Sequence, residues 1–158
     1  MRATDIELAL VKLLDYRQNL IIPNVSWGFI GLHYEADLIV VTKSGYAKEI
    51  EIKVSKGDLI KDKEKRHSHN CRKFKELYFA IPKKLLIDKE HIPERAGIYV
   101  IDEFDGDYIA VLERPALRTT AEPITTKDRS ELARLGALRI WGLKGKINEL
   151  QKQIKEML

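Results

Sequence analysis

Asp37 and the triplet Glu51-Ile52-Lys53 are the residues of this chain whose types and spacing could do chemistry together. They lie on two strand-like runs, YEADLIVVT and YAKEIEIKV, separated by Lys43-Ser44-Gly45. A connection of this length with glycine last reads as a β-hairpin in which Gly45 takes the left-handed conformation of a bulge-type turn. Such a loop pairs Thr42 with Tyr46, and counting back along both arms sets Asp37 opposite Glu51. Partners across a hairpin share a face at roughly 5 Å between Cβ atoms. Lys53 points to that same face, whereas Ile50, Ile52 and Val54 point to the other. A slip of one residue would send every Ile and Val to the wrong side, so pattern and turn support one register.

Glu35, Asp37, Glu49, Glu51 and Lys53 could simply line a solvated sheet face. Two directly opposed carboxylates repel, however, at a cost of up to about 1 kcal/mol that a wet face has no reason to keep. A divalent cation removes the cost: hard oxygen ligands on two rigid strands leave the remaining positions of Mg²⁺ or Mn²⁺ to water and a phosphate. Lys53 beside them is a fixed donor for an attacking water or for charge developing on phosphorus.

Asp37, a spacer across one turn, and then Glu51-Ile52-Lys53 resembles the D…(D/E)xK signature of the PD-(D/E)XK nuclease superfamily. The wider stretch from His33 to His69 is similar to MmcB-like DNA-repair and phage-borne nucleases of that superfamily. The likeness spans roughly residues 1 to 115, with Ala36-Asp37 where the superfamily has Pro-Asp. It implies a restriction-endonuclease-like fold and Mg²⁺ or Mn²⁺ held by Asp37, Glu51 and the carbonyl of Ile52. It also implies Lys53 on the nucleophile and Glu7, from a first helix, completing the acidic site. Glu7 has a second reading, because it is the third residue after Thr4, where a capping-box glutamate belongs.

The elements that must position these groups follow from periodicity. Ile6, Leu10, Leu13 and Leu14 recur at helical spacing, so a first helix is expected from about residue 5 to about 18. NLIIPNVSWGFIGL reads as two short extended pieces around Pro23-Asn24. Residues 56 to 70 read as a basic helix, KELYFAIP as a buried strand stopped by Pro82, and residues 83 to 90 as a short linking helix. GIYVID and DYIAVLERP form a further strand pair, and helix resumes from about Asp128. The order predicts an α/β fold with a mixed central sheet flanked by helices: a nuclease-like domain over residues 1–120 and a C-terminal helix within 121–158. Trp27, Phe29, Tyr78, Phe79, Tyr99 and Tyr108 fall in or beside strand-like runs and are expected in the core.

Charge adds a partner. The chain carries a formal net charge of +4, yet residues 56 to 84 alone hold ten basic side chains against four acids. Lys56, Lys61, Lys65, Arg66, His67 and His69 would project from the basic helix as a DNA phosphate track beside the metal. The bland reading is a charged surface on which Asp58 and Asp62 form local pairs. His67-x-His69-x-Cys71 lacks the second Cys/His cluster that a zinc site needs.

Cys71 is the sole cysteine, which excludes an intrachain disulfide and favours a reducing cytosol. Asp5 and Glu7 interrupt the N-terminal apolar pattern, so a signal peptide is not expected. No run approaches the ~20 apolar residues of a membrane span, so a cytoplasmic location is expected.

The last helix carries Gly136, Ile140, Leu143, Ile147, Leu150, Ile154 and Met157 at alternating spacings of four and three, a heptad seam. Homodimerisation through it competes with packing on its own domain. The functional expectation is a Mg²⁺-dependent deoxyribonuclease, most simply an endonuclease, of DNA repair, recombination or phage DNA processing. The alternative is a non-catalytic nucleic-acid-binding or assembly module on the same scaffold.

Overall fold

The computed structural model describes residues 1–65 and 69–158. Its centre is a six-stranded mixed sheet in the order β1-β2-β3-β4-β5-β6: β1 (Leu20–Val25), β2 (Ala36–Val41), β3 (Ala47–Ile52), β4 (Phe74–Pro82), β5 (Gly97–Phe104) and β6 (Asp107–Arg114). The outer pairs are antiparallel, while β3, β4 and β5 run parallel. Parallel neighbours need crossovers. Helix α2 (Lys56–Lys63) carries the chain from β3 to β4, and a 3₁₀ segment, Lys83–His91, leads on towards β5. With α1 (Ala3–Leu13) and the long C-terminal α3 (Thr126–Met157), this is the mixed α/β class that the order of elements predicts.

The hairpin register is the expected one. Leu38 pairs with Ile50, Val41 with Ala47, and Thr42 N–H donates to the Tyr46 carbonyl across a turn in which Gly45 has φ +86°. Extended one step beyond Leu38 and Ile50, this register sets Asp37 opposite Glu51, and Asp37 Oδ2 accepts from the neighbouring Ile52 N–H. Pro23 lies inside β1, which an edge strand tolerates because its missing N–H breaks no ladder.

Each strand divides its side chains between two faces. Leu38, Val40, Ile50, Tyr78, Ala80, Tyr99 and Ile101 pack beneath Ile6, Ala9 and Leu10 of α1. On the opposite face Ile39, Val41, Ala47 and Phe74 meet Leu132 and Leu135 of α3. Leu77, Phe79, Ile81, Ile98 and Val100 of that face meet Leu59 of α2 and Leu85 of the 3₁₀ segment. Glu49 and Glu51 alternate with Ile50, so they point into the seam between these last two clusters.

Several boundaries differ from expectation. Helix α1 begins at Ala3 and ends at Leu13, and Asp15 then turns the chain with φ +50°. Its cap is Arg2, whose backbone N–H donates to Asp5 Oδ2 at 2.7 Å, so Thr4 is already helical and Glu7 has no capping role. Helix α2 stops at Lys63 rather than near residue 70, with Ser55 Oγ accepting from Asp58 N–H at its start. The second extended piece before the hairpin is a 3₁₀ turn, Phe29–Gly31. Trp27 is exposed rather than core, while Tyr78, Phe79 and Tyr99 are buried as expected.

Candidate metal site

The face that periodicity left open to water is sealed. Glu49, Glu51 and Lys53 are 0%, 1% and 6% exposed, and with them Asp62 from α2 and His69 are buried. Burying so many charges is tolerable only if they are matched. Lys53 Nζ lies 2.6 Å from Glu51 Oε2 and 2.8 Å from Asp62 Oδ1, and 3.9 Å from Asp37 Oδ2. Lys65 Nζ reaches the same Asp62 oxygen at 2.8 Å and Glu51 Oε2 at 3.6 Å. His69 bridges two carboxylates, Nδ1 to Glu49 Oε1 at 3.0 Å and Nε2 to Asp62 Oδ2 at 2.7 Å, and Tyr34 Oη donates to Glu49 Oε2 at 2.8 Å.

The backbone bends to make this possible. His69 has φ +52°, a conformation that is uncommon outside glycine, and its carbonyl accepts from Arg95 at 3.2 Å. Its ring meets Tyr34 and Phe79 edge-on, each at 5.8 Å between centroids.

Electrostatics separate an inner from an outer part. Burial alone would lower the His69 pKa, but the bonds to Asp62 and Glu49 and the charge of Glu51 outweigh it and push it up to about 9, so the imidazole is a cation. Burial likewise disfavours the Lys53 ammonium, yet Glu51 and Asp62 hold it protonated, with its pKa raised. Asp62 stays ionised well below the usual range, because bonds from His69, Lys53 and Lys65 overcome its desolvation. Three carboxylates (Glu49, Glu51, Asp62) are thus matched by three cations (Lys53, Lys65, His69).

The outer part is not balanced. Asp37 is 40% exposed, accepts from the Ile52 N–H at 2.8 Å, and has its pKa raised by partial burial and by the charge of Glu51. Glu7, half-buried on α1, is raised by burial and then by Asp37. Asp37 and Glu7 therefore crowd negative charge beside Glu51 at a half-open edge of the network. Glu51 Oε1, by contrast, is buried 3.7 Å from His69 Nδ1 in the inner part and receives no hydrogen bond among the described residues.

All four residues expected at the catalytic position, Glu7, Asp37, Glu51 and Lys53, are brought together, with Ile52 contributing backbone beside them. The expected DNA track fares differently. His69 is a buried bridge and cannot contact phosphate from the surface. Lys65 turns inward to Asp62 and Glu51, because two buried carboxylates outbid water for its ammonium. Lys56 pairs with Asp88 at 2.7 Å, whereas Lys61 is exposed with no ion pair among the described residues. Arg66 and His67 lie outside the described residues.

Tyr34, Glu49 and Asp62 were not singled out as site residues from sequence. Asp62 carried one signal: it falls three residues after buried Leu59, on the inner side of α2.

Glu49, Glu51 and His69 each offer a ligand atom within 4.8 Å of the others and could hold a metal ion. There a cation must displace the proton that His69 shares with Glu49. At Asp37 and Glu51 it would instead relieve the repulsion that raises the Asp37 pKa, so the donor set at that edge fits a hard divalent cation.

No protein-family model matches the chain, and no curated protein matches it. Among solved structures it is similar to the SPO1766 protein of unknown function from Silicibacter pomeroyi. The two share 16% identity over 96% of this chain and 94% of that one, with a TM-score of 0.65. At that identity the likeness shows a shared fold. Among the described residues, no helix is long and apolar enough to cross a membrane.

Proposed function

We propose that this chain is a metal-dependent DNA nuclease of the PD-(D/E)XK type, acting in DNA repair, recombination or phage DNA processing. The supporting observation is the unbalanced edge of the network. Asp37 and Glu7 carry raised pKa values beside Glu51, while Lys53 is locked next to them as a cation. Asp37, Glu51 and the carbonyl of Ile52 would hold Mg²⁺ or Mn²⁺, which when bound supplies Lewis acidity and an acidified water.

The chain's own groups divide the remaining work. The ammonium of Lys53, pinned by Glu51 and Asp62, stays protonated and so acts as a donor. It orients the attacking water in line with the scissile bond and stabilises charge on the non-bridging oxygens. A base is still needed, and Glu7, whose carboxyl is raised above its ordinary value, is suited to take the water's proton. Glu49, His69, Asp62 and Tyr34 touch no substrate. They hold Glu51 and Lys53 in one geometry, as a supporting shell must.

Purified protein incubated with single-stranded, duplex, nicked and branched DNA, with Mg²⁺, Mn²⁺ or EDTA, tests this reading. Metal-dependent cleavage that Asp37→Asn abolishes is the expected result. Retention of DNA without cleavage under every metal condition would refute the enzyme and favour the binding-module alternative.

A further inference from the structure

Helix α3 serves two different purposes along its length. Its first part belongs to the domain: Leu132 and Leu135 are buried, and a Cβ on Gly136 would lie 2.7 Å from Ile22 Cδ1. Arg139 closes this part by donating to the Asn24 carbonyl at 2.7 Å and to Ser26 Oγ at 2.9 Å. Gly136, the first residue of the predicted seam, is therefore a domain contact. Past Arg139 the residues Gly142, Leu143 and Lys146 still border a shallow cleft with Pro23 and Asn24, yet Ile140, Leu143, Ile147, Leu150, Ile154 and Met157 are each more than half exposed.

These six residues alternate β-branched and unbranched types in heptad register: Ile140, Ile147 and Ile154 at a, with Leu143, Leu150 and Met157 at d. Isoleucine at a with leucine at d is the combination that favours a parallel two-stranded coiled coil over trimers or tetramers. Gly142 and Gly145, where an added Cβ would meet nothing within 4 Å, fall at the outward c and f positions and would clash with no partner. A free stretch of this length with two glycines is marginal as a lone helix in water, so its order needs an apolar partner.

The area suffices. Six large apolar side chains exposing on the order of 100 Å² each would bury roughly 1,200 Å² over two copies, the lower bound for a specific interface. The flanks permit a second copy. Lys146 faces Gln151 of the partner, and Arg139, the one base set against a like charge at Lys144, is already tied to its own domain.

We propose that residues 140–157 pair with the same segment of a second copy as a parallel coiled coil, carrying both sheet domains at one end of the stalk. This stands independently of the nuclease reading and is read by mass, not by cleavage.

Light scattering on the full chain at tens of micromolar should give twice the 18.2 kDa chain mass. Ile147→Glu, which alters no contact within the domain, should give the monomer mass with an unchanged near-ultraviolet spectrum. Orientation is read from Ile154→Cys. In a parallel pair the two cysteines meet at an a position and oxidise to a covalent dimer. In an antiparallel pair centred on the same seam they lie roughly 16 Å apart, beyond disulfide reach. The parent chain, carrying Cys71 alone, is the oxidation control. A monomeric parent, a trimer or tetramer, an Ile147→Glu variant that keeps the parent's mass, or failure of Ile154→Cys to crosslink would each overturn the proposal.

Discussion

Replacing His69 by glutamine keeps a polar side chain between Glu49 and Asp62 but removes the cation that bridges them. The imidazole titrates near 9 in the folded chain against an ordinary value of 6.5. At about 1.4 kcal/mol per pH unit, that difference is worth about 3 kcal/mol of folding stability. The side chain is only 3% exposed, so solvent screening discounts this little. Because the folded value is raised, the contribution is complete below pH 6.5 and fades as pH climbs through about 9. Parent and His69→Gln should therefore differ most at pH 6, and the gap should shrink by about 3 kcal/mol by pH 10. In urea, at a slope of about 2 kcal/mol/M, the midpoints should converge by about 1.5 M. Unfolding curves of both proteins at pH 6, 8 and 10 measure this, and the parent–variant difference cancels other groups that titrate there. Asp62 sets the opposite limb: its lowered pKa contributes stability above its unfolded value near 3.8 that is lost as pH falls through the folded value. A parent–variant gap that stays constant from pH 6 to 10 would refute the charged bridge.

Asp37→Asn should leave the metal-free fold as stable or more stable by under about 1 kcal/mol, since it removes a repelled charge while its amide oxygen can still accept from Ile52 N–H. Mg²⁺ should raise the melting temperature of the parent and not of this variant. Lys53→Ala should abolish cleavage and also cost about 3 kcal/mol, because it strands Glu51 and Asp62; denaturant curves and cleavage run below the variant's melting temperature separate the two effects. Lys61→Ala should lower the salt dependence of DNA binding by roughly one unit of slope, equally for unrelated sequences, as read by fluorescence anisotropy across a salt series. Gly97→Ala should destabilise by about 1–3 kcal/mol in the same urea titration, because its methyl would enter the ring of Tyr78, which stacks on Tyr99 at 4.6 Å.

The hairpin was legible without coordinates because its determinants are local. Gly45 dictates the turn, the turn dictates the pairing, and the period of two then places Asp37, Glu51 and Lys53 on one face. The order of strands and helices follows from patterns of similar range, as does the heptad register of the last helix. Burial does not. Alternating Glu and Ile in β3 reads as one wet face and one dry face, and only the packing of α2 and the left-handed turn at His69 over that face makes Glu49 and Glu51 interior groups. Helix charge patterns likewise could not tell that Lys65 turns inward to Asp62 while Lys61 stays in water, because α2 ends at Lys63 and Lys65 lies on the chain that leaves it. The two readings of Glu7 were separated by Arg2, which caps α1 two residues before Thr4 and leaves the glutamate beside Asp37. Periodicity also could not show where α3 leaves the domain, since Gly136 and Ile140 obey the same heptad although one meets Ile22 and the other meets solvent. Local rules depend on neighbours in the chain. The charge balance of this site arises between segments far apart in sequence, whose approach exists only once the sheet has formed.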